Sequence, residues 1–289
     1  MPRLNHLFTQ PFLCAELLYV SKRLMSNSLN LTEILTSMDP EPAYLVDRMY
    51  HKGQVILMAG EAGVGKSFLQ YNLAMSLASG LPFLGLESRQ TKVLYFDEEN
   101  SRPDLQQYLR QIWRGLGCPS IPVLEQNLII QHFTLASKGK DRYQGMIQIA
   151  AEVKPGLIVI DTATPVCGIT NENDNGEASD AMKSLRAVKE SSGPDTTLIV
   201  LKHIKFSHDP TETTTIRGAK AWLDMADAVI FHKLSVGKPR SDGLRNCRLC
   251  PSKVRAYGLR SELAIVPSWC GEEGAMGVIL NPRALPPGN

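Results

Sequence analysis

Little in the composition of this chain points to a partner, and what is missing narrows its class. A formal net charge of +2 over 289 residues, with no run of like charge, gives no bulk electrostatic case for nucleic acid or membrane binding. No apolar stretch approaches the roughly 18 residues that a spanning helix needs. Internal repeats and low-complexity tracts are absent, which excludes solenoid and linker architectures. The six cysteines (Cys14, Cys118, Cys167, Cys247, Cys250, Cys270) are scattered rather than set out as a disulfide framework, so we expect reduced thiols in a cytoplasmic protein. Cys247-x-x-Cys250 has no second pair and no well-spaced His pair, and reads as two strand residues rather than a zinc site. The remainder, 43% hydrophobic and 21% charged, suits one large α/β domain with an appendage.

The appendage lies at the start. Its first 30 residues carry Arg3, Lys22 and Arg23 against Glu16, and that acid interrupts the apolar patch 12–20, which makes a poor secretory signal and a weak organelle presequence. Residues 1–40 read as an extension, disordered or subunit-contacting, with Met25 as an alternative start; residues 41–289 read as one domain.

What the chain does have is Gly60-Glu61-Ala62-Gly63-Val64-Gly65-Lys66-Ser67, which satisfies G-x-x-x-x-G-K-[ST]. The apolar run 54–59 before it predicts a buried parallel strand. After it, Phe68, Leu69, Leu73 and Leu77 recur at helical spacing until Gly80-Leu81-Pro82. At such a strand-to-helix junction the glycines let backbone N–H groups converge on phosphate oxygens at a helix N-terminus, where the dipole favours negative charge. Residues 60–68 are thus the expected ATP-binding segment, with Lys66 on the β- and γ-phosphates and Ser67 on Mg²⁺.

Further strands are expected at 92–97, 127–131, 157–161 and 197–203, alternating with helices at 104–116, 143–153 and 180–190, a rhythm that implies a mostly parallel sheet covered on both faces. Four later apolar runs, at 228–232, 244–250, 263–266 and 277–280, have no helices between them. They predict a short antiparallel finish.

Asp161 ends an apolar strand at the sheet's carboxyl edge, where open α/β sheets bind ligands, and fits the Walker-B acid that holds Mg²⁺. The residues after it, Thr162-Ala163-Thr164, include no Glu to serve as general base. Three consecutive acids, Asp97-Glu98-Glu99, end the strand expected to lie beside the phosphate loop, and a Glu there could polarise the water attacking the γ-phosphate.

A phosphate loop, a following strand ending in Phe96-Asp97-Glu98-Glu99 and a Walker-B strand without its own Glu resemble the RecA-type P-loop ATPases. Within them the chain is similar to the RepA-like branch of hexameric replicative helicases and their AAA-labelled relatives. The resemblance implies a RecA-like fold and makes Glu99 the base, with Glu98 the alternative register. It gives His203, ending the strand after Walker B, the part of a γ-phosphate sensor. Ile216 to Trp222 with Asp224, Ala226 and Asp227 resembles the family's Arg-Gly-Ser block, with Ala219 where the family has Ser. Lys253-Val254-Arg255 resembles its Lys-x-Arg segment, whose cations reach a neighbour's nucleotide in trans.

The implied function is an ATP-hydrolysing, ring-forming motor, a hexamer on single-stranded DNA, with segments 166–176 and 204–215 as mobile DNA loops. The first of these is acidic and the second offers only Lys205, Phe206 and His208, whereas a channel that tracks a backbone should be basic with aromatic platforms. A regulatory or loader ATPase without translocation, or a nucleotide-sensing module, stays open beside it.

Overall fold

The computed structural model describes residues 31–36, 43–132, 140–203, 220–235, 240–255, 258–272 and 276–284. Its contacts divide the chain into two units, Met1–Glu41 and Pro42–Asn289. In the first, the described residues form helix α1 (Leu31–Thr36), with Leu31 and Leu35 exposed.

The second unit opens with a two-stranded ribbon, β1 (Tyr44–Val46) and β2 (Tyr50–His51). Then β3 (Val55–Gly60) runs into α2 (Lys66–Ser79), which Gly80 stops in the left-handed conformation at φ 72°. The alternation continues through β4 (Val93–Asp97), α3 (Arg102–Gly115), α4 (Ile121–Asn127), β5 (Leu128–His132), α5 (Lys140–Val153) and β6 (Leu157–Asp161). It goes on through α6 (Ala163–Cys167), α7 (Asn175–Ser192), β7 (Thr197–His203), α8 (Ala221–Met225) and β8 (Ala228–Leu234). Strands β9 (Cys247–Val254), β10 (Leu263–Cys270) and β11 (Gly277–Ala284) close the domain as an antiparallel meander.

Among the described residues one nine-stranded sheet results, in the order β11-β10-β9-β8-β3-β7-β6-β4-β5. Every pairing from β8 to β5 is parallel. The central strands are buried on both faces, and their period of two divides the core. Ile56, Met58, Val93 and Tyr95 face α2, α3 and α4, while Leu57, Ala59, Leu94 and Phe96 face α5, α7 and α8. Helix α2 lies between the sheet and α3 and α4, so even its polar Gln70, Asn72 and Ser76 are buried.

Two sequence expectations change. The strand ending in the acidic triplet does not lie beside the phosphate-loop strand, because β7 and β6 stand between β3 and β4. The expected loop 166–176 begins inside α6 and ends on α7, and its middle is held rather than loose. Glu177 accepts from Thr170 N, Thr170 Oγ1 and Asn171 N, and Glu172 accepts from Thr164 and from buried Lys202. Lys253 lies within β9, the first strand of the antiparallel β9–β10 pair.

Among the described residues no helix is long and apolar enough to cross a membrane. Cys247 and Cys250 are buried in β9, and the described residues hold no group of three or more His, Cys, Asp or Glu suited to a metal. The expected DNA segment 204–215 and the Arg217-Gly218-Ala219 block lie outside the described residues.

Candidate functional site

The loop at 60–67 joins β3 to α2 at the carboxyl edge of the parallel strands, as the motif requires. Two of its glycines are sterically demanded. A Cβ on Gly60 would stand 2.5 Å from the His232 carbonyl oxygen, and Gly65 caps α2 at φ 93°, a conformation that other residues avoid. With that cap, Lys66 and Ser67 begin the helix and its unpaired N–H groups face the loop.

Lys66 is buried and its Nζ donates to Gly60 O (3.0 Å), Glu61 O (2.8 Å) and His203 Nδ1 (3.2 Å). Burial draws its pKa down to about 8 against the pull of Glu99, Asp161 and Glu61. Since Lys66 donates to Nδ1, the His203 proton is assigned to Nε2, which lies 3.2 and 3.3 Å from the two Glu99 carboxylate oxygens. The Glu99 carboxyl is held below its usual range by that His203 hydrogen bond, against partial burial. Lys66, His203 and Glu99 therefore form one chain across a cavity of about 620 Å³. Glu99 reaches it although β4 is remote from β3 in the sheet, because the turn after β4 leans back over β6: Glu98 N donates to Asp161 O at 3.0 Å.

The other register points elsewhere. Glu98 is buried against Arg142, 3.4 Å away, and that guanidinium also donates to Pro165 O and to Val166 O. Its desolvation raises the Glu98 pKa despite the guanidinium.

Asp161 is fully buried at the end of β6. Its Oδ2 accepts from Tyr95 at 2.6 Å, whereas Oδ1 is buried without a hydrogen-bond partner. Burial pushes its pKa up to about 7, only partly offset by the Tyr95 hydrogen bond and by the Ser67 hydroxyl close by, which is not within hydrogen-bonding geometry of Oδ1. An oxygen left in this condition beside the helix-N-terminal Ser67 fits a divalent cation, which would supply the missing partner and favour the ionised carboxylate.

Lys253 and Arg255 are not in this site. Val254 pairs with Ala228 at the start of β8, and Ile56 pairs with the same residue, so the two cations lie at the amino edge of the sheet. Five residues of strand separate that edge from the loop, roughly 17 Å at 3.3 Å each. Lys253 Nζ donates to Leu223 O and Asp224 O, and Arg255 pairs with Asp227, whose other oxygen clamps Val55 N at 2.9 Å.

Several residues of the site carry no motif. His232 lies in β8 beneath the loop, paired with Gly60, with both ring nitrogens buried and unpartnered, and burial plus the Lys66 charge take its pKa down to about 3. Arg245 donates to Gly63 O at 3.4 Å from a loop braced by Arg240, Asp242 and the Trp269 indole. On α3, Tyr108 meets Phe68 edge to face at 5.8 Å. These groups join Pro267, Trp269 and Leu280 in lining the same cavity as the phosphate loop, and they give it an apolar and aromatic wall of the kind a base or sugar packs on. Only a polar residue closing an apolar run, as at His232, was visible as a signal.

A phosphate loop separated from its Walker-B strand by one inserted strand, with an acid delivered from a third, defines a RecA-type P-loop ATPase. A family model described as an AAA domain matches residues 22–207, more than half of the chain, and the chain belongs to that family, AAA_25, the RepA-like kind. No curated protein sequence matches it. Among solved structures, a KaiC-like protein from the hyperthermophilic archaeon Pyrococcus horikoshii has a TM-score of 0.53 over 82% of this chain and 94% of that one, at 14% identity. That likeness is one of fold.

Proposed function

We propose that the protein hydrolyses ATP at the 60–67 loop as a head-to-tail ring, of hexameric kind, that moves on single-stranded DNA in the cytoplasm. The observation that carries hydrolysis is the Lys66–His203–Glu99 chain, gathered in one cavity with Ser67, beside which Asp161 is buried. Loop N–H groups and Lys66 bind the phosphates, Lys66 exchanging the Gly60 and Glu61 carbonyls for phosphate oxygens. Glu99, ionised, takes the proton of the attacking water. His203 touches both the phosphate-binding cation and the base, so it senses whether a γ-phosphate is in place. Ser67 and Asp161 would hold Mg²⁺, which when bound neutralises charge developing on the phosphates.

The ring reading is supported by Lys253 and Arg255 at the edge opposite the loop. Their own nucleotide is out of reach, but a head-to-tail contact sets one subunit's amino edge against the next one's carboxyl edge, and such contacts close into a ring when the rotation between subunits closes. A second reading, a regulatory ATPase that does not translocate, is favoured by segment 168–174, which is acidic and pinned by Glu177 and Lys202 where a DNA channel would be basic and free.

Steady-state turnover with and without single-stranded DNA, together with mass measured in ATP and Mg²⁺, tests these statements. Stimulation by DNA in a ring-sized species is the expected result. Basal turnover without stimulation selects the regulatory reading, and absence of any turnover overturns hydrolysis.

A further inference from the structure

Strand β4 reads Val-Leu-Tyr-Phe-Asp, so its period of two turns Tyr95 and Asp97 to the same face of the sheet, the face covered by α2. One turn into α2, Tyr71 lies flat on Tyr95, ring centroids 4.0 Å apart and planes 9° apart, and neither residue has exposed surface. The stacked phenols serve different carboxylates. Tyr95 donates to Asp161 at 2.6 Å and Tyr71 donates to Asp97 Oδ2 at 2.5 Å.

Asp97 is fully buried, and three of its four hydrogen bonds come from the turn that follows it. Oδ1 accepts from Glu99 N and Asn100 N, both at 2.9 Å, and Oδ2 accepts from Asn100 Nδ2 at 2.8 Å as well as from Tyr71. From the other side His132 Nε2 meets Asn100 O at 3.1 Å. A buried carboxylate that receives four hydrogen bonds has one orientation, and that orientation fixes the backbone from which Glu99 extends. The Tyr71 donor comes from the helix whose first two residues are Lys66 and Ser67.

We propose that Tyr71 and Asp97 are positioning residues for Glu99. Through them the phosphate-binding helix sets where the base is aimed, so that a shift of α2 on seating the phosphates is passed to the carboxylate that activates water. The proposal rests on Glu99 being that base. Asp97 accordingly is not a spare member of the acidic triplet but the anchor of the other two.

Tyr71→Phe keeps the stacked ring and removes only the donor. We expect turnover per folded molecule to fall on the order of tenfold, as for a catalytic group displaced by a fraction of an ångström. ATP affinity should stay within about twofold, because the phosphate cradle is untouched. Hydrogen exchange at the Glu99 and Asn100 amides, measured without nucleotide, should accelerate by about tenfold as their acceptor loosens. In a Glu99→Gln background, single-turnover measurements should show no further loss from Tyr71→Phe, which a general weakening of the fold would not reproduce. Unchanged turnover with unchanged exchange overturns the proposal, and so does an equal loss in the Glu99→Gln background. If the wild-type protein hydrolyses no ATP, the hydrolysis reading falls by itself; the exchange rates then decide alone whether Tyr71 holds the turn.

Discussion

Two neighbouring glutamates in one turn have opposite surroundings, and substitution should separate them. Glu99→Gln removes the proposed base and should keep ATP binding while losing turnover by 10² or more, roughly the share of general base catalysis; equilibrium binding and turnover on the same preparation check it. Glu98→Gln leaves Arg142 buried beside a neutral amide, 3.4 Å from where its partner stood. Turnover should persist while thermal stability drops, by about 1–3 kcal/mol as for a buried charge that loses its partner's charge but keeps a hydrogen-bonding group. Lys66 supplies a pH signature. Its ammonium is lowered to about 8 from 10.5, so between those values the folded, nucleotide-free chain binds fewer protons than the unfolded one, and its stability rises with pH there. Phosphates reverse the shift by favouring the charged form. Binding of ATP near pH 8 should therefore take up protons, and affinity should weaken as pH rises further. Calorimetry in two buffers of different ionisation enthalpy reads the uptake; proton release would contradict it.

At the scale of elements, the cavity depends on how closely α3 meets β11. A Cβ on Gly115 would stand 1.9 Å from Val278 O, and one on Gly277 would stand 2.6 Å from Gly115 N, so the helix and strand touch through backbone. Gly115→Ala must push them apart. We expect a cost of about 1–3 kcal/mol, as for an overpacked core, together with a raised KM for ATP, since both elements line the cavity beside the phosphate loop. Thermal unfolding and steady-state kinetics measure the two effects. A variant that loses stability at unchanged KM would show that this wall of the cavity does not meet the nucleotide.

For the whole molecule the question is whether one chain completes its own site. Arg255 stands at the amino edge, and an arginine acting in trans is worth about 10³ or more in rate. Arg255→Ala should therefore lose most turnover at nearly unchanged ATP affinity. Mixing it with Glu99→Gln subunits creates some interfaces that have an intact Glu99 on one side and an intact Arg255 on the other, and partial recovery of activity is expected. No recovery in rings shown to be mixed, or full activity from an isolated monomer, would remove the shared site.

What the sequence determined by itself was local. The phosphate loop needs only residues 60–67 in order, because its glycines and helix N-terminus act on their own neighbourhood; the strand runs at 93–97, 157–161 and 197–203 need only apolar side chains on both faces. The acidic triplet was legible as a group but not by member. Which of Glu98 and Glu99 faces the cavity depends on the turn that Asp97 holds, and that turn depends on Tyr71, 26 residues earlier on another element. Strand order was likewise beyond local reading: adjacency in sequence suggested β3 beside β4, whereas the sheet inserts β7 and β6 between them. The same holds for Lys253 and Arg255, whose place at the far edge follows from β9 running antiparallel to β8. Only the packed sheet decided these points, because a strand's partners are chosen by which faces can be buried together, and that choice involves residues up to the full length of the domain apart.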